Sequence, residues 1–104
     1  MSDRLSALQR MLERNPGDAR AHFGLASEYE KLGQWASAVD HLRRYLANTE
    51  DQGNAWGRLG RALVQLGDKN GALEAFRMGV QQAQRHGHPS MAGEFEEVIE
   101  QLSE

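Results

Sequence analysis

Four histidines, at positions 22, 41, 86 and 88, are the side chains of this chain best suited to proton or metal chemistry near neutral pH, and they stand beside no cysteine at all. The missing cysteines remove thiol catalysis, disulfides and thiolate-ligated zinc, and fit a reducing compartment. His86 and His88 come nearest to a metal pair. They sit in a polar loop, His86-Gly87-His88-Pro89, behind a helix C-terminus, where imidazoles serve as solvated or dipole-stabilising groups. His41 lies among Asp40, Arg43 and Arg44 and is expected on a solvated face. No spacing supplies a nucleophile with its base, a metal set or a pair of carboxylates for acid–base work. The glycines lack the strand-turn-helix context of a phosphate loop. No catalytic residue, cofactor or metal is therefore expected. What remains is the chemistry of guanidinium groups: Arg20, Arg58 and Arg61 can hold carboxylates in paired hydrogen bonds where they share a face.

Helices must position these groups. Spacings of three and four put Leu25, Ala26 and Tyr29 on one helix face, and likewise Leu59, Gly60 and Leu63. Gly33 and Gly67 fall just after these runs, where a left-handed cap stops a helix and turns the chain back. The expected helices run from Asp3 to Arg14 with Ser2 as N-cap, from Ala19 to Lys31 behind Asp18, and from Trp35 to Ala47. Three more follow, from Asn54 to Gln65, from Lys69 to Arg85 behind Asp68, and from Pro89 onward through Met91, Phe95, Val98, Ile99 and Leu102. Trp35, Ala38, Val39, Leu42, Tyr45 and Leu46 form the stripe of the third. Leu42, Trp56, Leu59 and Phe76 are expected in the core. Gly60, in mid-helix where glycine costs up to ~1 kcal/mol relative to alanine, implies a close contact.

The two middle hairpins are copies of one pattern. Trp56, Leu59, Gly60, Leu63, Gly67, Ala72, Leu73, Phe76, Gly79 and Val80 answer His22, Leu25, Ala26, Tyr29, Gly33, Ala38, Val39, Leu42, Tyr45 and Leu46 at a period of 34 residues. Trp-x2-Leu-Gly-x2-aromatic, a glycine and Ala-x3-Phe at that period resemble the tetratricopeptide repeat. The departures are His22 for tryptophan, Leu63 for tyrosine, and Glu50 and Gln84 for the closing proline. The resemblance implies an all-α solenoid of antiparallel helix hairpins, about six helices, in a single domain. Residues 1–18 are a leading half-repeat, 19–52 and 53–86 the two repeats, and 87–104 a capping helix whose Glu94, Glu96, Glu97, Glu100 and Glu104 form a polar outer side. His22, at the tryptophan position, is expected to be packed and partly buried.

In proteins of this family the first helix of each repeat lines a concave groove that grips a peptide or a partner helix. The matching positions are Arg20, Phe23, Ser27 and Glu30 in the first repeat, and Asn54, Gly57, Arg58, Arg61 and Gln65 in the second. Helical spacing agrees, since Arg20, Phe23, Ser27 and Glu30 share a side distinct from Leu25, Ala26 and Tyr29. Phe23 and Ser27 stand where the chaperone-tail clamps of the family carry lysine and asparagine, so that specialisation is not expected. The resemblance implies a non-enzymatic interaction module, and the arginines favour partner segments rich in Asp, Glu or a free C-terminus. The alternative is a structural homo-oligomer whose groove or end is filled by another copy. A net charge of −3 argues against a general nucleic-acid binder. No apolar run approaches the ~20 residues that span a bilayer and the polar N-terminus lacks a signal-peptide core, so a cytoplasmic location is expected.

Overall fold

A computed structural model describes residues 3–104 as six helices, with no strand among them: α1 (Asp3–Arg14), α2 (Ala19–Lys31), α3 (Trp35–Asn48), α4 (Asn54–Gln65), α5 (Lys69–Arg85) and α6 (Pro89–Leu102). α3 runs one residue beyond its expected end, and the expected cap Ser2 lies outside the described residues. This is an all-α helical repeat.

Local chemistry sets the boundaries. The Asp18 carboxylate accepts from the backbone N–H of Arg20 and Ala21 at 3.0 and 3.3 Å, closing the start of α2. Asp68 does the same for α5 through Gly71 at 2.9 Å. α4 opens on Gly53, which has no side chain to offer, and Asp51 substitutes for it: Oδ2 accepts from the N–H of Gly53 at 2.8 Å and of Ala55 at 2.9 Å. At the other ends Gly33 and Gly67 adopt φ of 71° and 77°, a region open to glycine at no steric cost. The residues after them then reach back five positions, Gln34 N–H to the Tyr29 carbonyl and Asp68 N–H to that of Leu63, both at 2.9 Å.

The chain divides into two compact units, the first ending at Thr49 and the second spanning Glu50–Glu104. In the first, α1 packs on α2 and α2 on α3. Leu5, Leu8 and Leu25 form its cluster, flanked by Met11, Leu12 and Tyr29, and Ala26, Ala38 and Leu42 are fully buried. A β-carbon on Gly24 would lie 2.9 Å from Leu8, so glycine lets α1 approach α2.

In the second unit α4 packs on α5 and α5 on α6. Its core is built on two rings, Phe76 and Phe95, with centroids 5.7 Å apart and planes tilted by 54°. Each is worth about 1.5–3 kcal/mol of burial. Glycines make room for them: Gly60 faces Phe76, while Gly57 and Gly79 face Phe95, with added β-carbons falling 2.5–2.8 Å from ring atoms. Gly57 is thus a packing residue and not a groove-lining one, because α6 covers it. Leu42, Leu59 and Phe76 are buried as expected, whereas Trp56 is only half-buried. Among the described residues no helix is long and apolar enough to cross a membrane.

Candidate interaction surface

On α2 the buried positions are Ala21, His22, Gly24, Leu25, Ala26 and Glu28, and the intervening side carries Arg20, Phe23, Ser27 and Glu30. Arg20 is exposed there, and Phe23, Ser27 and Glu30 are half-buried. The Ser27 hydroxyl is turned back onto its own helix, donating to the Phe23 carbonyl at 3.3 Å. The Phe23 ring lies 4.8 Å from that of Tyr45 on α3, tilted by 46°, so the two helices together present an aromatic pair beside Arg20 and Glu30. Glu28 looks the other way: it is 7% exposed and held by Arg4 at 3.4 Å and Lys31 at 3.3 Å.

On α4 the division is similar. Ala55, Gly57, Leu59, Gly60, Ala62 and Leu63 are buried, while Asn54, Arg61 and Gln65 are exposed and Arg58 is half-buried. Within each unit, therefore, the side chains named from sequence on the first hairpin helix are exposed or half-buried, apart from Gly57.

The histidines behave differently from expectation in one case. His22 is 2% exposed, and its two ring nitrogens contact the Pro16 carbonyl at 2.8 Å and His41 Nδ1 at 2.9 Å. His41 is therefore not on a solvated face. It is half-buried against His22 and stacked on Tyr29 at 5.6 Å, and burial first, then the neighbouring His22, push its pKa below the ordinary value. This three-ring cluster has no sequence signal, because the residues sit on the polar and apolar edges of two different helices. In the second unit His88 Nε2 donates to Gln52 Oε1 at 2.6 Å, and His86 Nε2 lies 3.6 Å from the Glu50 carboxylate, which Arg85 also approaches at 3.7 Å. These contacts pin residues 50–52 to the turn between α5 and α6. Among the described residues no three His, Asp or Glu side chains converge as a ligand set.

A family model of the tetratricopeptide repeat matches residues 5–52 and again 25–86. A TPR repeat-containing protein of Pseudomonas aeruginosa is 31% identical over 83 residues, covering 80% of this chain and 79% of its own length. The small glutamine-rich tetratricopeptide repeat-containing protein 2 of Mycosarcoma maydis is 30% identical over 77 residues, 74% of this chain and 22% of that protein. Among solved structures, PcrH in complex with the chaperone binding region of PopD is similar with a TM-score of 0.84 at 20% identity, over 95% of this chain and 75% of that one. A Bordetella parapertussis protein solved in solution gives 0.79 at 28% identity, over 99% and 90%. With the helix hairpins and their glycine-spaced contacts, these matches establish that the chain belongs to the tetratricopeptide repeat family.

Proposed function

We propose that the chain is a non-enzymatic interaction module, holding a peptide or helix of a partner protein on the first hairpin helix of a unit, α2 in the first and α4 in the second. The observation that carries this reading is the placement of arginine: Arg20 and Arg61 are exposed and Arg58 half-exposed on helices whose other side is packed away. Guanidinium groups so placed select carboxylates, and Phe23 with Tyr45 adds an apolar contact for a neighbouring side chain. The partner segment is accordingly acidic or ends in a free carboxylate. PcrH, which has the same fold, is seen in complex with a region of PopD, and this supports a peptide-binding role. A cytoplasmic site of action is in keeping with the lack of cysteine.

The test is a titration of the chain with fluorescent acidic peptides, each with a free and with an amidated C-terminus, against the double variant Arg20→Glu, Arg61→Glu. Both sites are exposed, so the melting temperature should hold while affinity falls and the parent's binding weakens with salt. Salt-independent binding of equal strength by the double variant rejects the surface. A second reading, self-association, is favoured by the exposed Glu94, Glu96, Glu97, Glu100 and Glu104 in and just beyond α6, which could supply the carboxylates from another copy. Light scattering coupled to size exclusion separates the two: dimers or higher forms without added peptide indicate the second.

A further inference from the structure

The cluster of His22, His41 and Tyr29 plays no part in the surface above, and its geometry fixes where its protons are. His22 Nε2 lies 2.8 Å from the Pro16 carbonyl oxygen, which can only accept, so this nitrogen carries hydrogen. In the neutral ring Nδ1 is then an acceptor. It faces His41 Nδ1 at 2.9 Å, so His41 supplies the proton between them and keeps its bare lone pair on Nε2. The His41 ring stacks on Tyr29 with planes 11° apart, and the Tyr29 hydroxyl accepts from Gln9 of α1 at 3.4 Å. The turn after α1, the first turn of α2 and the middle of α3 are thereby joined through two imidazoles. The groups that bear on His41 are Asp40 and Arg44 from its own helix, paired at 3.3 Å, and His22 and Tyr29 from α2. From α1 the uncharged Gln9 reaches Tyr29, not the imidazoles.

We propose that the His22–His41 pair is a proton-operated latch between α2 and α3, closed while at most one imidazole is charged and opened when both are. The first added proton goes to His41 Nε2 and leaves the Nδ1–H···Nδ1 bond intact, with the resulting cation stacked on the Tyr29 ring. The second has one lone pair left to take, His22 Nδ1. That sets N–H against N–H across 2.9 Å and two cations side by side, so the hydrogen bond is lost and the rings separate. The sign follows from linkage. Burial alone already lowers the His41 pKa in the folded chain while His22 is neutral, so below the ordinary value of about 6.5 the unfolded chain binds more protons than the folded one. The first unit therefore has its full stability above that pH and loses part of it as pH falls through the interval down to the folded value.

Nitrogen-resolved NMR of the full chain at pH 7.5 should show hydrogen on His22 Nε2 and on His41 Nδ1. Between pH 7.5 and 5.0 the amides of α2 and α3 should exchange faster than intrinsic pH dependence allows, and the melting temperature should drop by several degrees. His41→Gln keeps a donor for His22 Nδ1 but cannot titrate, so it should lose at least half of that drop and most of the added exchange. Reading exchange on α2 and α3 separates this effect from His86 and His88, which belong to the second unit. An equal acid response in parent and variant, or hydrogen on His22 Nδ1 at pH 7.5, overturns the proposal. Should the glutamine variant fold poorly, the NMR assignment and titration of the parent decide it alone.

Discussion

Replacing Gly60 by alanine adds a single methyl group to the middle of α4 and sets two effects against each other. Alanine is favoured over glycine inside a helix by about 0.8–1.0 kcal/mol. The new carbon, however, would stand 2.7–2.8 Å from three carbons of the Phe76 ring. That ring is 1% exposed and lies against Phe95, itself 3% exposed, so it cannot yield without moving a second buried ring. Overpacking of this kind costs about 1–3 kcal/mol, which leaves a net loss of up to ~2 kcal/mol. Gly93→Ala is the internal control. Gly93 lies within α6, is exposed, and an added methyl meets nothing within 4 Å, so only the propensity gain of about 0.8–1.0 kcal/mol remains. The two variants should therefore move apart by the steric term alone, about 1–3 kcal/mol. In a domain of this size each kcal/mol is worth about 4–8 °C in melting temperature, well within the reach of circular dichroism melts backed by urea midpoints at unchanged slope. If Gly60→Ala stabilises the protein as much as Gly93→Ala, Phe76 is not confined and the close-approach reasoning fails.

Asp18→Ala removes the acceptor for two backbone N–H groups at the start of α2 and should cost about 1 kcal/mol in urea denaturation; an unchanged midpoint would mean that water replaces the cap. Deleting the chain from Pro89 onward removes Phe95 from Gly57 and Gly79 and uncovers Phe76, so the truncated protein should associate or melt well below the parent. A monomer by light scattering with the parent's melting temperature would show that α6 is not part of the second unit's core.

The helices were legible because their signals are local. Asp18, Asp68, Gly33, Gly67 and Pro89 each act on backbone within one turn of themselves, and apolar spacing marks the buried faces of α2 and α4. The contact implied by Gly60 could also be read, since a helix carries a mid-span glycine at a cost that only packing offsets. Gly57 shows where this reading stops. Its register on α4 is that of the open side, and only the arrival of α6 in space, with Phe95 seated over it, makes it interior. His41 fails for a related reason: a helical face next to Asp40 and Arg44 reads as solvated, and nothing along the chain says that Tyr29 and His22, 12 and 19 positions earlier, lean across to meet it. Asp51 capping α4 from outside the helix belongs to the same class, a loop carboxylate whose target is set by the turn and not by a helical position. Of the candidate surface only the register that keeps these side chains out of the core of α2 and α4 was legible, for helical register gives a direction but no ligand.

Positions 60 and 76 lie 34 residues beyond 26 and 42. Where the second hairpin has a glycine and a phenylalanine, the first has an alanine and a leucine, and Ala26 and Leu42 are both 0% exposed. The two copies thus fill corresponding buried positions differently, one with a glycine against a ring and the other with a methyl and an isobutyl group. Neither residue has a fixed value apart from its counterpart. A copy can pass from one arrangement to the other only by altering both positions, and an intermediate carrying alanine with phenylalanine is overfull while one carrying glycine with leucine is hollow. In a chain that arose by duplication, the heritable unit at such a contact is the pair, and divergence between repeats should be concerted across the helix boundary even where each residue, viewed singly, looks free to drift.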